Sequence, residues 1–480
     1  MLMFEIGVIP AAGRGLRLSP YTEDTPKVLF EIGGVTLLER NIIIFRDKLK
    51  LKKIYIILGH LGHQISDKFG DGASLGIELH YVNCQDPARG LAEGLLVLKD
   101  FINQPFVMLL GDELYLNSNH ECLLEFSEED FDAICAYKLT GDVNQIKRNY
   151  SIEVSDGKIT QLVEKPQTIE NNFLGCGTFV LKPEIFSQIE STPPSSRSGK
   201  IEFIDTLNKL ANNNGTVLPM ALRGEYRNIN YDVDYISATH LYRKMHFSEY
   251  KISLVIPAYN EEASLAYVID EFKDSVDEII VAASYSADKT VEIAQDKASK
   301  VLVDNFLGYG DALKAGMNAA SGDIIVLVEA DASFTADDLP KLLSYLKDAD
   351  MALGTRTTKQ MIQQGANMDG FLRWGNVMAA KILQLLWLSQ EPRFTDLGCT
   401  YRAIWRECYE VIRPNLHAKG PEFSPEMMVE IMKAKRKIVE IPVTYRPRIG
   451  GESKHSQDKI SVLKTGCKML GLIFRKWLGR

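Results

Sequence analysis

Ile6-Gly7-Val8-Ile9-Pro10-Ala11-Ala12-Gly13-Arg14-Gly15-Leu16-Arg17-Leu18, closed by Pro26-Lys27, lies at the start of the chain. The run from Ile6 to Pro10 has the length and apolar character of a buried strand, and the spaced glycines after it predict a turn. A phrase of the same kind returns at Ile252-Ser253-Leu254-Val255-Ile256-Pro257-Ala258-Tyr259-Asn260-Glu261. Ligands of α/β sheets bind at the carboxyl ends of strands. Two such phrases therefore predict two ligand-binding α/β units on one chain.

The flanking sequence agrees. Strand patterns fall at Ile6–Pro10, Ile54–Leu58, Leu79–Val82, Phe106–Leu110 and Ala133–Tyr137, with helical patterns at Leu37–Lys50 and Leu91–Phe101 between them. The second half repeats the alternation, with strands at Ile252–Ile256, Glu278–Val281 and Ile324–Val328 and helices at Ala263–Phe272 and Thr290–Ala298. Alternation of this kind predicts mostly parallel sheets covered by helices. A helical run at Tyr235–Lys244 ends the first half, which places domains at 1–247 and 251–480. The linker is short and lacks a Gly/Ser tract, so packed rather than loosely tethered domains are expected. The turn-rich segment Thr192–Gly199 is expected to move.

A chain of 480 residues suits two or three domains. With 45% hydrophobic and 25% charged residues it has the composition of an ordinary globular protein. The formal net charge of -8 argues against nucleic acid as a partner. Seven scattered cysteines without a C-x-x-C pair argue against a zinc site or disulfide framework and fit a reducing, cytoplasmic compartment. No signal peptide is read at the N-terminus. The apolar stretch Val377–Leu388, interrupted by Lys381 and Gln384, is shorter than the roughly 20 residues needed to span a bilayer.

In the first loop, Gly13 and Gly15 allow backbone N–H groups, with Ala11 before them, to approach a triphosphate. Arg17 and Lys27 supply cations for the phosphates and for charge developing in the transition state. The string from Gly13 to Lys27 resembles the sugar-phosphate nucleotidyltransferase family, whose pattern is G-x-G-x-R-L-x-P-x-T followed by P-K. The likeness continues through Gln85 and Gly90-Leu91-Ala92-Glu93, similar to a base-reading segment, and Gly111-Asp112-Glu113, similar to the metal-aspartate motif. It extends to Glu164-Lys165-Pro166, Gly175-Cys176-Gly177 and the pair Glu202 and Asp205, which resemble the sugar- and phosphate-contacting segments. The resemblance implies attack of a sugar-1-phosphate oxygen on the α-phosphorus of a nucleoside triphosphate, UTP or dTTP favoured, with Mg²⁺ (or Mn²⁺) held by Asp112 and a second residue. Where the family has D-x-G-T, this chain reads Asn228-Ile229-Asn230-Tyr231. Asn228 is then the expected second ligand, offering a neutral oxygen.

In the second phrase, Pro257, Tyr259 and Glu261 resemble the nucleotide-facing P-x-Y-N-E of family-2-type glycosyltransferases. Glu329 and Asp331 follow the strand Ile324–Val328, where two carboxylates one residue apart can reach one cation. They stand where the family has the metal-binding D-x-D. Neighbouring segments narrow the resemblance to dolichol-phosphate-mannose-synthase-like enzymes: Asn305 with Gly308-Tyr309-Gly310-Asp311-Ala312-Leu313, Arg356, Arg373, Asp396 through Arg402, and Arg448 through Ser453 and Lys454. The resemblance implies acceptor contacts by Arg356, Arg373, Arg402, Arg448, Ser453 and Lys454, with Asp396 the remaining candidate for a general base. One departure is that the family's V-D-D-G-S is here Ala282-Ala283-Ser284-Tyr285-Ser286, which lacks both aspartates.

At the C-terminus, Lys464, Lys468 and Arg475 share one helical face, opposite Val462, Met469, Leu470, Ile473 and Trp477. A basic amphipathic helix suits an anionic membrane surface, and its apolar face equally suits packing on the domain. The expected fold is α/β, with two GT-A-like (Rossmann-type) nucleotide-sugar domains in tandem and a C-terminal amphipathic helix. The expected function is bifunctional: synthesis of a nucleotide-sugar, then transfer to an acceptor such as polyprenyl phosphate, by a cytoplasmic protein peripheral to the inner membrane face. Homo-oligomer formation is compatible with this reading. The competing view keeps the first activity and makes the second domain a non-catalytic module binding a lipid phosphate or a partner.

Overall fold

Ile6–Ala11 is a central strand because its side chains are apolar on both faces, as a parallel strand covered by helices requires. It pairs in parallel with Lys53–Leu58 on one side and Phe106–Leu109 on the other. The computed structural model describes residues 4–19, 21–368, 370–390, 392–450 and 459–479. The chain divides into two α/β units between Tyr242 and Arg243.

In the first unit the principal sheet path runs Lys158–Glu164, Tyr150–Ser155, Phe173–Leu181, Phe106–Leu109, Ile6–Ala11, Lys53–Leu58, Glu78–Asn83. The chain steps outward from Ile6–Ala11 twice, then returns to pair Phe106–Leu109 on its other side. That reversal is a topological switch point, where two successive strand ends leave a crevice. A separate ribbon pairs Glu113–Leu116 with Glu225–Asn228, antiparallel, with Asn228 opposite Glu113.

The second unit builds its own sheet in the order Lys300–Asp304, Glu278–Ser284, Ile252–Ala258, Ile324–Leu327, Arg402–Trp405, Met351–Thr355, Ile438–Pro442. Ile252–Ala258 is again flanked in parallel by its successor strand and by a later one, Ile324–Leu327. Only Arg402–Trp405 runs against both of its neighbours among the described strands of this sheet.

The strands expected from sequence are all present, and the helix expected at Leu37–Lys50 is helical but not uniform. It is α-helical over Leu37–Ile43, then widens over Ile44–Lys48. The strand Arg402–Trp405 was invisible to pattern reading because a buried arginine opens it. The long helix Gly370–Leu386 contains part of the apolar stretch noted above, and none of the described helices is long and apolar enough to cross a membrane. On the C-terminal helix Lys459–Trp477, Leu472 and Ile473 are buried, Val462, Met469 and Leu470 are half-buried, and Lys464, Lys468 and Arg475 are exposed. Lys476 reaches Glu426 at 3.1 Å and Glu430 at 3.0 Å. The helix thus packs on its own unit through one face, Lys476 included, and keeps Lys464, Lys468 and Arg475 in solvent.

Within the second unit, Arg243 is only 2% exposed. It pairs with the fully buried Asp350 at 3.0 Å, bonds Glu407, and lies 4.4 Å above the ring of Trp405. Removing one member of a buried pair strands the other charge, at a cost of about 3 kcal/mol. Arg243→Ala should therefore lower the stability of this unit by about that amount. All four tryptophans lie in the second half, so urea unfolding followed by tryptophan fluorescence reads the unit selectively. A loss below about 1 kcal/mol would contradict the pairing.

Candidate functional site

The loop after Ile6–Ala11 is shaped by Gly15, whose left-handed φ of 60° is favoured by glycine. A Cβ there would come within 2.9 Å of Thr22 Cγ2, and the Thr22 hydroxyl donates to the Gly15 carbonyl at 2.9 Å. A cavity of about 680 Å³ lies at the switch point. Ala11, Gly13, Gly15, Arg17, Gly90 and Asp112 are on its wall, with Lys27. The Lys27 ammonium sits 2.6 Å from Asp112 Oδ2 and 3.2 Å from Asn230 Oδ1. Arg17 is exposed, and its guanidinium lies 5.7 Å from the Tyr231 ring centroid.

Among the cavity residues not expected from sequence are two cations and an amide: Arg14, Lys200 and Asn230. Arg14 stood inside the quoted loop, and its position between two glycines was the available signal. Asn228 and Gln85 do not line the cavity; Gln85 is exposed next to Cys84, which does. Both amide atoms of Asn228 are engaged: Nδ2 donates to Asn149 Oδ1 at 2.8 Å, and Oδ1 accepts from Asn230 Nδ2 at 2.7 Å.

Glu113, beside Asp112, is 2% exposed. Its carboxylate accepts from Tyr226 Oη at 2.6 Å, Gly177 N at 2.7 Å and the Tyr115 hydroxyl. Burial, with the neighbouring Asp112 charge, pushes its pKa up to about 7 against these bonds. The Gly177 N–H is thus committed to Glu113. The expected sugar-side residues Glu164, Lys165 and Glu202 form a separate cluster. Lys165 lies 3.2 Å from Glu164, and Arg197 donates to the Glu164 carbonyl at 2.8 Å and approaches Glu202 at 3.4 Å. Burial raises the Glu164 pKa, and burial with the Glu202 charge raises that of Asp205. Arg197 belongs to the segment expected to move, and these bonds are what tie it down.

In the second unit, Pro257–Glu261 interlocks with the segment after Glu278–Ser284. Asn260 N donates to Ser286 Oγ at 3.1 Å, Ala287 N to Asn260 Oδ1 at 3.0 Å and Glu261 N to Thr290 Oγ1 at 2.7 Å. Tyr259 is exposed beside it. At the end of Ile324–Leu327, the Arg448 guanidinium lies 2.6 Å from Asp331 and 3.6 Å from Glu329. Two carboxylates that converge on one cation suit a divalent metal, as Asp112 with its neighbouring amide oxygen does in the first unit. Burial, and next the Asp331 charge, raise the Glu329 pKa; Thr400 Oγ1 donates to it at 2.6 Å and Tyr309 Oη to Thr400 at 2.5 Å.

Arg356 grips Asp396 in a fork, Nε to Oδ2 at 2.8 Å and Nη2 to Oδ1 at 2.9 Å. Asp396 is fully buried and also accepts from the backbone N–H groups of Arg356 and Gly398. Burial opposes its ionisation, but Arg356 and these N–H groups hold its pKa below the ordinary range. The fork fixes the Arg356 guanidinium against Asp396 and commits both carboxylate oxygens of the residue expected from sequence as a general base. Arg402 also departs from expectation. It is 1% exposed and donates to the Ser424 carbonyl at 3.0 Å and to the Cys399 carbonyl, and burial lowers its pKa. Its guanidinium caps backbone oxygens inside the unit, where an acceptor has no access.

A cavity of about 350 Å³ is lined by Glu329, Arg356 and Arg448 together with apolar residues of Gly370–Leu386 and Lys459–Trp477, among them Phe371, Met378 and Leu470. Arg373 and Arg402 are not on its wall. Ser453 and Lys454 lie outside the described residues.

Residues 6–239 match the nucleotidyl transferase family model, and residues 253–411 match glycosyl transferase family 2. The low-salt glycan biosynthesis nucleotidyltransferase Agl11 of Haloferax volcanii is 30% identical over 238 residues, 49% of this chain and 65% of that protein. The bifunctional protein GlmU of Methanococcus maripaludis is 31% identical over 237 residues, 48% of this chain and 53% of its own. The low-salt glycan biosynthesis hexosyltransferase Agl6 of Haloferax volcanii is 30% identical over 206 residues, 42% of this chain and 48% of its own. The chain spans about half to two thirds of the length of these curated relatives.

Glu440 gives a pH test of this region. It accepts from the N–H groups of Thr395 and Asp396, each at 2.9 Å, and so fixes the segment that carries Asp396. Burial pushes its pKa up to about 7 from 4.5. Between those values the folded state holds a proton that the unfolded state has released, so the Glu440 contribution to stability falls as pH rises through that window. The stability difference between wild type and Glu440→Gln should accordingly shift against the wild type between pH 4.5 and pH 7. Urea midpoints of both proteins across pH 4–8 check it; parallel curves would refute the raised pKa.

Proposed function

We propose that this chain, which joins a nucleotidyl transferase domain to a glycosyl transferase family 2 domain, makes a nucleotide-sugar with its first half and transfers the sugar with its second. The first reaction falls to the unit that ends at Tyr242 and the second to the unit that begins at Arg243. The first activity rests on one observation: the Gly13–Arg17 loop, Lys27 and Asp112 share a single cavity at a sheet switch point. There a sugar-1-phosphate oxygen attacks the α-phosphorus of a nucleoside triphosphate, and pyrophosphate leaves. Glycine N–H groups and Arg17 hold the phosphates, and Lys27 balances the charge that builds up on them. Positioning and charge neutralisation carry the catalysis, with no covalent enzyme intermediate. Mg²⁺ or Mn²⁺, bound beside Asp112, supplies further neutralisation of phosphate oxygens. UTP or dTTP is the favoured triphosphate.

The second reaction is glycosyl transfer to a phosphate on a lipid such as polyprenyl phosphate, at the cytoplasmic membrane face. The supporting observation is the cavity in which Glu329, Arg356 and Arg448 share walls with apolar side chains of two helices. A phosphate acceptor is an anion at neutral pH and needs no general base, which agrees with an Asp396 already committed to Arg356. Lys464, Lys468 and Arg475 face solvent, where an anionic membrane would meet them. Two sites on one chain raise the local concentration of the shared intermediate. The absence of both aspartates at Ala283-Ser284 favours a second reading, in which the second domain only binds the lipid phosphate.

Arg17→Ala and Lys27→Ala should each lower pyrophosphate formation by about 10²-fold or more while leaving glycosyl transfer from supplied nucleotide-sugar intact. Near-normal nucleotidyl transfer in both variants would remove the site. A matrix of triphosphates and sugar-1-phosphates decides the base, and a preference for GTP or ATP would overturn the pyrimidine assignment.

Radiolabelled sugar should pass to polyprenyl phosphate and not to water-soluble alcohols, and Asp331→Asn should abolish that transfer. Transfer only to a soluble alcohol would refute the acceptor. No transfer to any acceptor, with nucleotidyl transfer intact, would establish the binding-module reading.

A further inference from the structure

Four side chains beside Asp112 form one directional relay. Lys27 Nζ donates to Asn230 Oδ1 at 3.2 Å, Asn230 Nδ2 to Asn228 Oδ1 at 2.7 Å, and Asn228 Nδ2 to Asn149 Oδ1 at 2.8 Å. Asn149 Nδ2 then donates to the Gln145 carbonyl at 3.0 Å. An amide can be turned over, and the relay ends forbid it. A lysine ammonium only donates, and a backbone carbonyl only accepts. The Glu113 carboxylate, 3.5 Å from Asn228 Nδ2, adds a second acceptor on the same side. The whole row therefore has one polarity. Asn228 turns its oxygen toward Asn230, and Asn230 turns its oxygen toward the Lys27 ammonium, which also meets Asp112.

The backbone reinforces this arrangement. Asn228 is the last residue of its ribbon strand, and Ile229 N donates to the Asp112 carbonyl at 3.0 Å. Asp234 Oδ2 then accepts from the N–H groups of Asn230 at 3.0 Å and Tyr231 at 2.8 Å, which fixes the turn. Asn230 lines the first cavity and Asn228 does not. A cation already bridges the relevant pair, since the Lys27 ammonium is 2.6 Å from Asp112 Oδ2 and in reach of Asn230 Oδ1. One carboxylate and one amide oxygen converging on a positive charge form a hard-oxygen donor set suited to Mg²⁺ or Mn²⁺.

We propose that Asn230, and not Asn228, supplies the amide oxygen that faces the divalent cation beside Asp112, and that Asn228 is the positioning residue that orients it. The inference rests on the nucleotidyl-transfer reading of the first cavity. It assigns the metal-side donor two residues later than the sequence motif does.

The test is direct Mn²⁺ binding, read from the free-Mn²⁺ paramagnetic resonance signal. It uses the full chain carrying Asp331→Asn, so that the second unit does not contribute. Asn230→Ala should weaken Mn²⁺ by at least about tenfold, and Asn228→Ala, which removes only the orienting bond, by less than Asn230→Ala does. Asn230→Asp, which keeps the oxygen and adds a charge, should bind at least as tightly as the parent. Unchanged urea midpoints establish that the variants are folded. A larger loss in Asn228→Ala than in Asn230→Ala overturns the inference, as does weakened binding in a folded Asn230→Asp. Loss on Asp112→Asn with none on Asn230→Ala overturns it while sparing the nucleotidyl-transfer site. Indifference to Asp112→Asn would remove the metal site itself.

Discussion

A carboxyl group withdrawn from water must find donors, and the first unit is organised around one that does. Glu113 collects two tyrosine hydroxyls and the Gly177 N–H inside the protein. Those donors come from different elements: the ribbon strands Glu113–Leu116 and Glu225–Asn228, and the sheet strand Phe173–Leu181. The carboxyl therefore ties the ribbon to the sheet. A Cβ on Gly177 would lie 2.5 Å from Glu113 Oε2, so the contact requires glycine. With the ribbon fixed, Asn228 stands opposite Glu113, and the turn after it brings Asn230 to Asp112. Packing in the interior thus places the polar row that faces the cavity.

The second unit solves a similar charge problem with cations. Arg448 answers Glu329 and Asp331, and Arg356 answers Asp396. Arg402 holds backbone oxygens and pairs with no carboxylate among the described residues, a structural use of a residue type that motif reading assigns to ligands. The Glu329 pKa is raised first by burial and next by the Asp331 charge, against the lowering effect of Arg356, Thr400 and Arg448.

The two units share an architectural logic. Each places its first strand between the parallel strand that follows it in sequence and a later one, and each puts its candidate carboxylates just after the later strand: Asp112 after Phe106–Leu109, and Glu329 and Asp331 after Ile324–Leu327. Loops that leave a switch point on opposite sides open a crevice without any special side chain. Chemistry is then a matter of which residues the loops carry. The first unit carries glycines and cations suited to a triphosphate. The second carries carboxylates and arginines beside apolar helix faces.

Much of this was legible in the sequence. Apolar runs of strand length, separated by amphipathic helices, determine parallel sheets, because only β-strands covered on both faces are apolar throughout. The spaced glycines with Arg17, Lys27 and Asp112 mark the first cavity, since glycine lets backbone N–H groups approach a ligand closely and the cations suit phosphate charge. What the sequence could not supply is direction. Asn228 and Asn230 are the same residue type two positions apart, and only the hydrogen-bond chain from Lys27 to Gln145 decides which oxygen reaches the Lys27 ammonium beside Asp112. Asp396 and Arg402 read as reactive groups until burial and their bonding partners are seen. Long-range pairing decides those roles, because a side chain's chemistry depends on the donors and acceptors that tertiary structure brings to it, and these lie far away in sequence.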